Sequence, residues 1–463
     1  MSEQVLIAGL ILALFSVFML KPRWMLTMFL VSFSIPLDIG LHYFFSSYYA
    51  GKSSADIRLA FIDFTFLMLV LSIAFNRRTL RKKNNLLTLR EINLIVSYIG
   101  FSALSCFWAY NCVVVFAEVL NLLKISIIFI YFTRINKFIS RNLLSVVYGL
   151  FGYVFIEFAF CVVQVFTGRL VNFDMLLGYE SLETSMLDAG WSRYGTFRAI
   201  GTMGPGEIAW MFAPIVALML FLTVIGKESV TKFSRRIILC TFMLSTFSLF
   251  LTQNRAVLLG SLLGFSVITA AFLVGLKERS GLIAAACVVP IVIGSFSLDL
   301  IRDQSEMIAE HFNVALDFRG MLSKNAVEIL RENPILAVVG AGQNNYLLVQ
   351  SAILKSLPIQ MAEFPVHNIF LLELVETGLI GCSLFFLLWF SFAKPMLREL
   401  TPKQLNAIRR CFALVFIFMT ILVLVSGSFS WAIFRYYPRC FYAVILAIIL
   451  SITRQDEFKE LPL

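Results

Sequence analysis

Charge is scarce in this chain. Only 14% of its 463 residues are charged, against roughly 25% in soluble domains. With 59% hydrophobic residues and a mean hydropathy of +0.87, too few polar groups remain to cover a folded surface. That excludes a soluble globular protein, so the bilayer must act as solvent for most of the chain. Histidine is nearly absent, with three in all. The eight cysteines (Cys106, Cys112, Cys161, Cys240, Cys287, Cys382, Cys411 and Cys440) include no CxxC pair. They lie in or beside apolar runs and read as small buried hydrophobes, not as a disulfide framework or a zinc site. The net charge of +10 does not indicate nucleic acid, because the basic residues fall in short clusters between apolar runs instead of on one face.

What the chain has in abundance is apolar runs of membrane-crossing length. They lie near 4–20, 24–40, 57–75, 91–109, 112–132, 143–166, 207–225, 237–251, 256–275, 282–300, 368–392, 411–429 and 440–452. The fold expected is an all-α polytopic transmembrane helix bundle of about 12–13 spans. The first run has no basic n-region and no small-residue cleavage site before Lys21–Arg23, so it reads as a span and not a signal peptide. Alternate loops are basic: Lys21–Arg23, NRRTLRKKNN at 76–85, TRINKFISRN at 133–142, GKESVTKFSRR at 226–236, KER at 277–279 and the segment from Lys394 to Arg410. By the positive-inside rule this puts the N-terminus outside and the C-terminus inside. The chain then divides into N-terminal helices (1–166), a first outer loop (167–206), central helices (207–300), a large outer loop (301–367) and C-terminal helices with an inner tail (368–463).

Within the large loop, RGMLSKNAVEILRENP puts Leu322, Ala326, Ile329 and Leu330 on one helical face before Asn333-Pro334 ends the pattern. A short amphipathic helix lying on the bundle is expected there. Three outer segments concentrate unusual residues: FRAIGTMGPGEIAW at 197–210, TQNRAVLLG at 252–260, and the stretch from Arg319 through VVGAGQNNY (338–346) to FPVHNIFLLELVETGLIG (364–381). Arg198, Arg255 and Arg319 are permanent, planar donors suited to phosphate oxygens, and helix starts beside them would add unpaired N–H groups. Gly201, Gly204, Gly206, Gly340 and Gly342 would let backbone approach a ligand closely. His367 could take a proton from a hydroxyl near neutral pH. The plainer alternatives are interfacial arginines acting as snorkelling anchors, a histidine packed at a helix start, and ordinary glycine turns. Asp38, Glu118, Lys124, Glu157, Glu373 and Glu376 fall inside apolar runs, where ionised groups are costly.

These segments resemble the O-antigen ligase and polymerase superfamily of membrane glycosyltransferases (Wzy and WaaL type). The resemblance spans roughly residues 195–390 and rests on four pieces in order: RAIGTMGPGEIA, TQNRAVLLGSLLG, RGMLSKNAVEILRENPILAVVGAGQNNY and VHNIFLLELVETGLIG. Two departures stand out. The usual Pro-Asn pair is Pro205-Gly206 here, and the usual Ser-Arg-Gly is Asn254-Arg255-Ala256. The resemblance implies a GT-C-like bundle in a bacterial cytoplasmic membrane with its site facing the periplasm. It implies a donor glycan on undecaprenyl diphosphate and an inverting transfer. Arg198, Arg255 and His367 would be catalytic. Arg319, Gly204, Pro205, Glu207, Gly340, Gly342 and Asn368 would bind substrate. No metal or other cofactor is expected, since arginines can neutralise the leaving diphosphate, and the inner loops hold no Asp-x-Asp pair for a metal–nucleotide sugar.

The acceptor separates two activities. A polymerase uses another lipid-linked repeat unit, which is the reading favoured here; a ligase uses lipid A–core. A chain-length regulator and a flippase are possible partners; nucleic acid is not. A different class, a transporter or lipid-linked glycan flippase, would show related halves and midplane charges. No repeat is evident, and the suggestive charges gather at the outer face.

Overall fold

The computed structural model describes residues 21–35, 38–40, 58–75, 86–167, 199, 205–224, 231–275, 305–353, 365–398, 407–430, 433 and 436–454. The architecture is an all-α bundle. Among the described residues, seven helices are long and apolar enough to cross a membrane: Cys112–Arg134, Leu143–Thr167, Gly206–Val224, Lys232–Leu251, Ile369–Leu397, Ile408–Gly427 and Tyr436–Thr453. Two shorter apolar helices, Phe61–Phe75 and Arg255–Thr269, accompany them. The spans expected at 4–20 and 282–300 lie outside the described residues.

One expected span takes another form. Instead of a helix over 24–40, the chain makes a ten-residue helix, Pro22–Val31, then a single turn at Ser32–Ser34 and a strand at Asp38–Gly40. That strand pairs antiparallel with Arg58–Ala60, directly before the Phe61–Phe75 helix. Ten residues rise only about 15 Å, half a hydrocarbon core. Apolar content had suggested a crossing, but Met25, Leu26, Phe29, Leu30 and Phe33 are buried against protein.

Pro205–Val224 (α7) is the central post. Every side chain from Ile208 to Leu222 with an apolar body is buried, Trp210, Phe212 and Phe221 among them, as a helix apolar all round requires. Lys232–Leu251, Arg255–Gly275, Ala407–Gly427 and Tyr436–Thr453 pack around it. Helix ends are fixed by local polar contacts. Thr88 and Glu91 form a reciprocal capping box at the start of Leu89–Leu104. Glu91 also takes a bidentate ion pair from Arg454 at the end of the last helix, with Nη1–Oε2 of 2.8 Å.

Several ionisable groups inside the apolar helices have polar partners. Lys124 Nζ lies 2.8 Å from Asp63 Oδ2, and the Tyr436 hydroxyl donates to Asp63 Oδ1 at 2.6 Å. Arg439 pairs with Glu118. The Tyr98 hydroxyl donates to Glu373 at 2.7 Å, and Thr377 Oγ1 to the same oxygen at 3.0 Å. Glu157 is fully buried. Asp38 stands in the short strand.

Candidate active site

The 252–260 segment folds as a tight hairpin. Gln253 takes φ 49°, in the left-handed region, and reverses the chain. Asn254 Oδ1 then accepts from Val257 N at 3.2 Å, capping a helix whose first residue is Arg255. The Arg255 side chain is exposed. A cation on the first turn opposes the helix dipole, so the pair of positive ends suits an arriving anion. The backbone N–H of Ala199 donates to Leu251 O at 3.0 Å, which holds the chain beside residue 198 against this hairpin. Arg198 and Gly204 themselves lie outside the described residues. Pro205 opens α7, and Glu207 is buried in its first turn.

One helix, Ala407–Gly427, forms a common wall for two others. A side chain at Gly264 would meet the Phe418 ring, and one at Gly260 would overlap the Ser426 hydroxyl, which donates to Ala256 O at 2.7 Å. Small residues thus let the Arg255–Gly275 helix (α9) pack closely on this wall. At the wall's end, Gly427 receives Ile369, the first residue of Ile369–Arg398 (α13). The start of the Arg255 helix and the start of the helix that follows His367 are therefore set at the same end of the bundle.

The amphipathic stripe is found within a longer helix, Ser305–Glu332 (α10), which stops before Asn333-Pro334. Leu322, Ala326 and Ile329 are fully buried. Ala326 and Ile329 form a separate apolar cluster with Leu336, Ala341, Tyr346, Val349, Val366, Leu372 and Val375, with Leu330 against it. That cluster clamps α10 onto α13, and brings Arg319 to His367. Both are half-buried.

Burial and neighbouring charge both act on these groups. The His367 imidazole is pushed down to about 4, first by burial and second by the Arg319 guanidinium; the Pro365 carbonyl pulls weakly the other way. Arg319 is itself lowered, by burial and then by Arg255. Arg255, Arg319 and His367 thus lie in a series, each close enough to feel the next. His367 Nδ1 sits 3.1 Å from Pro365 O. A carbonyl can only accept, so Nδ1 carries the hydrogen and Nε2 keeps the lone pair. Asn368 is the helix cap: its Oδ1 accepts from Phe370 N at 3.0 Å and Leu371 N at 3.1 Å.

Gly340 and Gly342 have positive φ, 74° and 97°. The close approach they permit is to another part of the chain. A side chain at Gly340 would run into the Glu376 carbonyl, and one at Gly342 into Ala109. Residues 340–346, whose Gly340 and Gly342 the resemblance implies as substrate-binding, are bound into the bundle by Trp108, whose Nε1 donates to Gly340 O at 3.0 Å. Asn345 joins in, its Oδ1 accepting from Asn111 N at 2.8 Å. Neither Trp108 nor Asn345 carried a sequence signal, because each partner lies more than 200 residues away. Among the described residues, no three His, Cys, Asp or Glu side chains gather as metal ligands do.

Chain and site together define a polytopic helical membrane protein with a cationic cluster, and a histidine beside it, at one end of the bundle. Residues 240–386, about a third of the chain, match the family described as O-antigen ligase. In this segment the chain is similar to the O-antigen ligase and polymerase superfamily. The matched segment includes Arg255, Arg319, the 340–346 turn and His367; Arg198 to Glu207 precede it. No curated protein matches the chain significantly.

Proposed function

We propose that the protein is a surface-polysaccharide polymerase. It transfers a glycan from undecaprenyl diphosphate onto another lipid-linked repeat unit at the periplasmic face of the cytoplasmic membrane. The observation that carries this is the series Arg255–Arg319–His367: two cations that repel each other beside a neutral imidazole. Such a pair is relieved by a dianion placed between its members. The donor's diphosphate supplies one, and its charge grows as the bond to the sugar breaks.

In the transfer, the acceptor hydroxyl oxygen attacks the anomeric carbon from the face opposite the diphosphate. The new C–O bond forms as the bond to the phosphate oxygen breaks, which inverts the centre. The hydroxyl proton passes to His367 Nε2, and undecaprenyl diphosphate departs held by Arg255 and Arg319, with Arg198 as the third candidate. A phosphate beside Arg319 would offset the charge that weakens His367 as a base, so binding the donor strengthens the group that activates the acceptor. Asn368 fixes the start of the helix behind His367. The flippase and chain-length regulator implied by the resemblance would supply donor and set polymer length.

The likeness to the family described as O-antigen ligase favours a second reading in which lipid A–core is the acceptor. A gel of surface and undecaprenyl-linked glycan from a deletion strain of the native host separates them. Core bearing one repeat, with no long lipid-linked polymer, identifies the polymerase. Bare core with long polymer accumulating on the carrier identifies the ligase and overturns the first reading.

A further inference from the structure

The long helix α13 is broken at Gly378, which takes φ 65° and ψ −173°. A straight helix would give the carbonyls of Val375 and Glu376 to residues four further on. Here they accept from the turn instead: Ala341 N to Val375 O at 2.8 Å and Gly342 N to Glu376 O at 2.9 Å. The Glu376 carboxylate takes two more backbone donors, Asn344 N on Oε2 at 2.9 Å and Tyr346 N on Oε1 at 3.4 Å. The break and the turn fit only without side chains, since one at Gly378 would overlap Val338 O and one at Gly340 would overlap Glu376 O. Two consecutive residues of an apolar helix therefore hold most of the 341–346 turn. That turn follows directly from α10 and Pro334–Val339 (α11).

We propose that Glu376 is a positioning residue which, by pinning the 340–346 turn to the broken helix, sets the spacing between Arg319 and His367. The proposal rests on reading that pair as part of the transfer site. Arg319 stands on α10, upstream of the turn; His367 stands at the head of α13. The two elements meet through the apolar cluster and this buckle. Apolar contacts resist separation but permit sliding, whereas hydrogen bonds fix register. The two oxygens of the Glu376 carboxyl group each accept one of these N–H groups. Glutamine offers one carbonyl oxygen and would turn its own N–H₂ toward the second donor. The main-chain bonds at Ala341 and Gly342 survive either substitution, so the turn stays attached but loses its lock.

The test is the pH dependence of His367 ethoxyformylation by diethyl pyrocarbonate, read on the His367 peptide by mass spectrometry, with the full chain in nanodiscs and no substrate. Only the neutral imidazole reacts. Among the described residues, Arg319 is the charge that acts on it. Wild-type reactivity should stay level down to about pH 5, and Arg319→Gln should begin to lose it at a higher pH than wild type, with burial still holding the midpoint below that of free histidine. Glu376→Gln and Glu376→Ala should move the midpoint toward that of Arg319→Gln. The double variant Arg319→Gln/Glu376→Ala should match Arg319→Gln alone. If Glu376→Ala does not fold, Glu376→Asp, one methylene shorter with its carboxyl group kept, should give a smaller shift in the same direction.

Folded Glu376 variants with a wild-type midpoint would overturn the proposal, whatever their melting temperature. So would a shift that persists without Arg319. The readout needs no glycan, so it can succeed where the transfer reading fails. Conversely, transfer by wild type with an unmoved midpoint in the variants would sink the positioning role alone.

Discussion

The Arg319 guanidinium adds its charge to the effect of burial in making the His367 imidazole a weaker base than histidine in water. The two come from different elements, one from the middle of a surface helix and one from the residue pair preceding a span. Their meeting gives the site a property neither has alone: the histidine is neutral at any ordinary pH, and its strength depends on whether a neighbouring cation is occupied.

That dependence predicts two different acid limbs. With donor subsaturating, kcat/KM reports the free protein, and should stay flat down to about pH 5 because His367 holds its proton only near 4. With donor saturating, kcat should fall at a higher pH, because diphosphate beside Arg319 raises the proton affinity. Arg319→Gln should bring the two limbs together. Coincident limbs in the wild type would remove the electrostatic link. The same shift bears on folding. A lowered histidine pKa means that the unfolded chain binds the proton more readily, so this contribution destabilises the fold as pH falls from about 6.5 toward 4.

Gly378→Ala should be costly. The left-handed backbone alone penalises alanine by roughly 1–2 kcal/mol, and the added methyl would overlap the Val338 carbonyl. A loss of at least about 2 kcal/mol is expected in detergent unfolding. Gly100→Ala, inside the Leu89–Leu104 helix with nothing near the new methyl group, is the control and should leave the unfolding midpoint in place or raise it. Equal stability for the two variants would show that the break in the helix is not required.

Arg439→Met would strand Glu118 inside the bundle, since the guanidinium is its ion-pair partner. Breaking a buried pair from one side costs about 3–5 kcal/mol. The double variant Glu118→Gln/Arg439→Met removes both charges and should recover most of the loss. If the single and double variants unfold together, the pair contributes through packing and not through charge.

Much of the bundle could be read from the chain one segment at a time. Runs of apolar residues must become helices in lipid, because every backbone N–H and C=O has to find a partner within its own segment. That is why Cys112–Arg134, Leu143–Thr167 and Ile369–Leu397 fall close to their expected bounds. The amphipathic stripe of Leu322, Ala326 and Ile329 was legible for the same reason: period and side-chain type are local. The residues 24–40 were misjudged because hydropathy registers burial without saying whether lipid or protein provides it.

Tertiary structure alone decided which groups meet. Hydropathy marked Glu118, Lys124 and Glu373 as costly, but their partners Arg439, Asp63 and Tyr98 lie 61 to 321 residues away, and no local pattern encodes such distances. Nor could a glycine in the run TGLIG be known to break its helix and surrender two carbonyls to a turn more than thirty residues upstream. Composition and periodicity fix what each segment must be in a bilayer, because that energy is summed residue by residue. The convergence of Arg255, Arg319 and His367 is a property of packing between segments, where close fit at Gly260, Gly264, Gly340 and Gly378 sets the geometry.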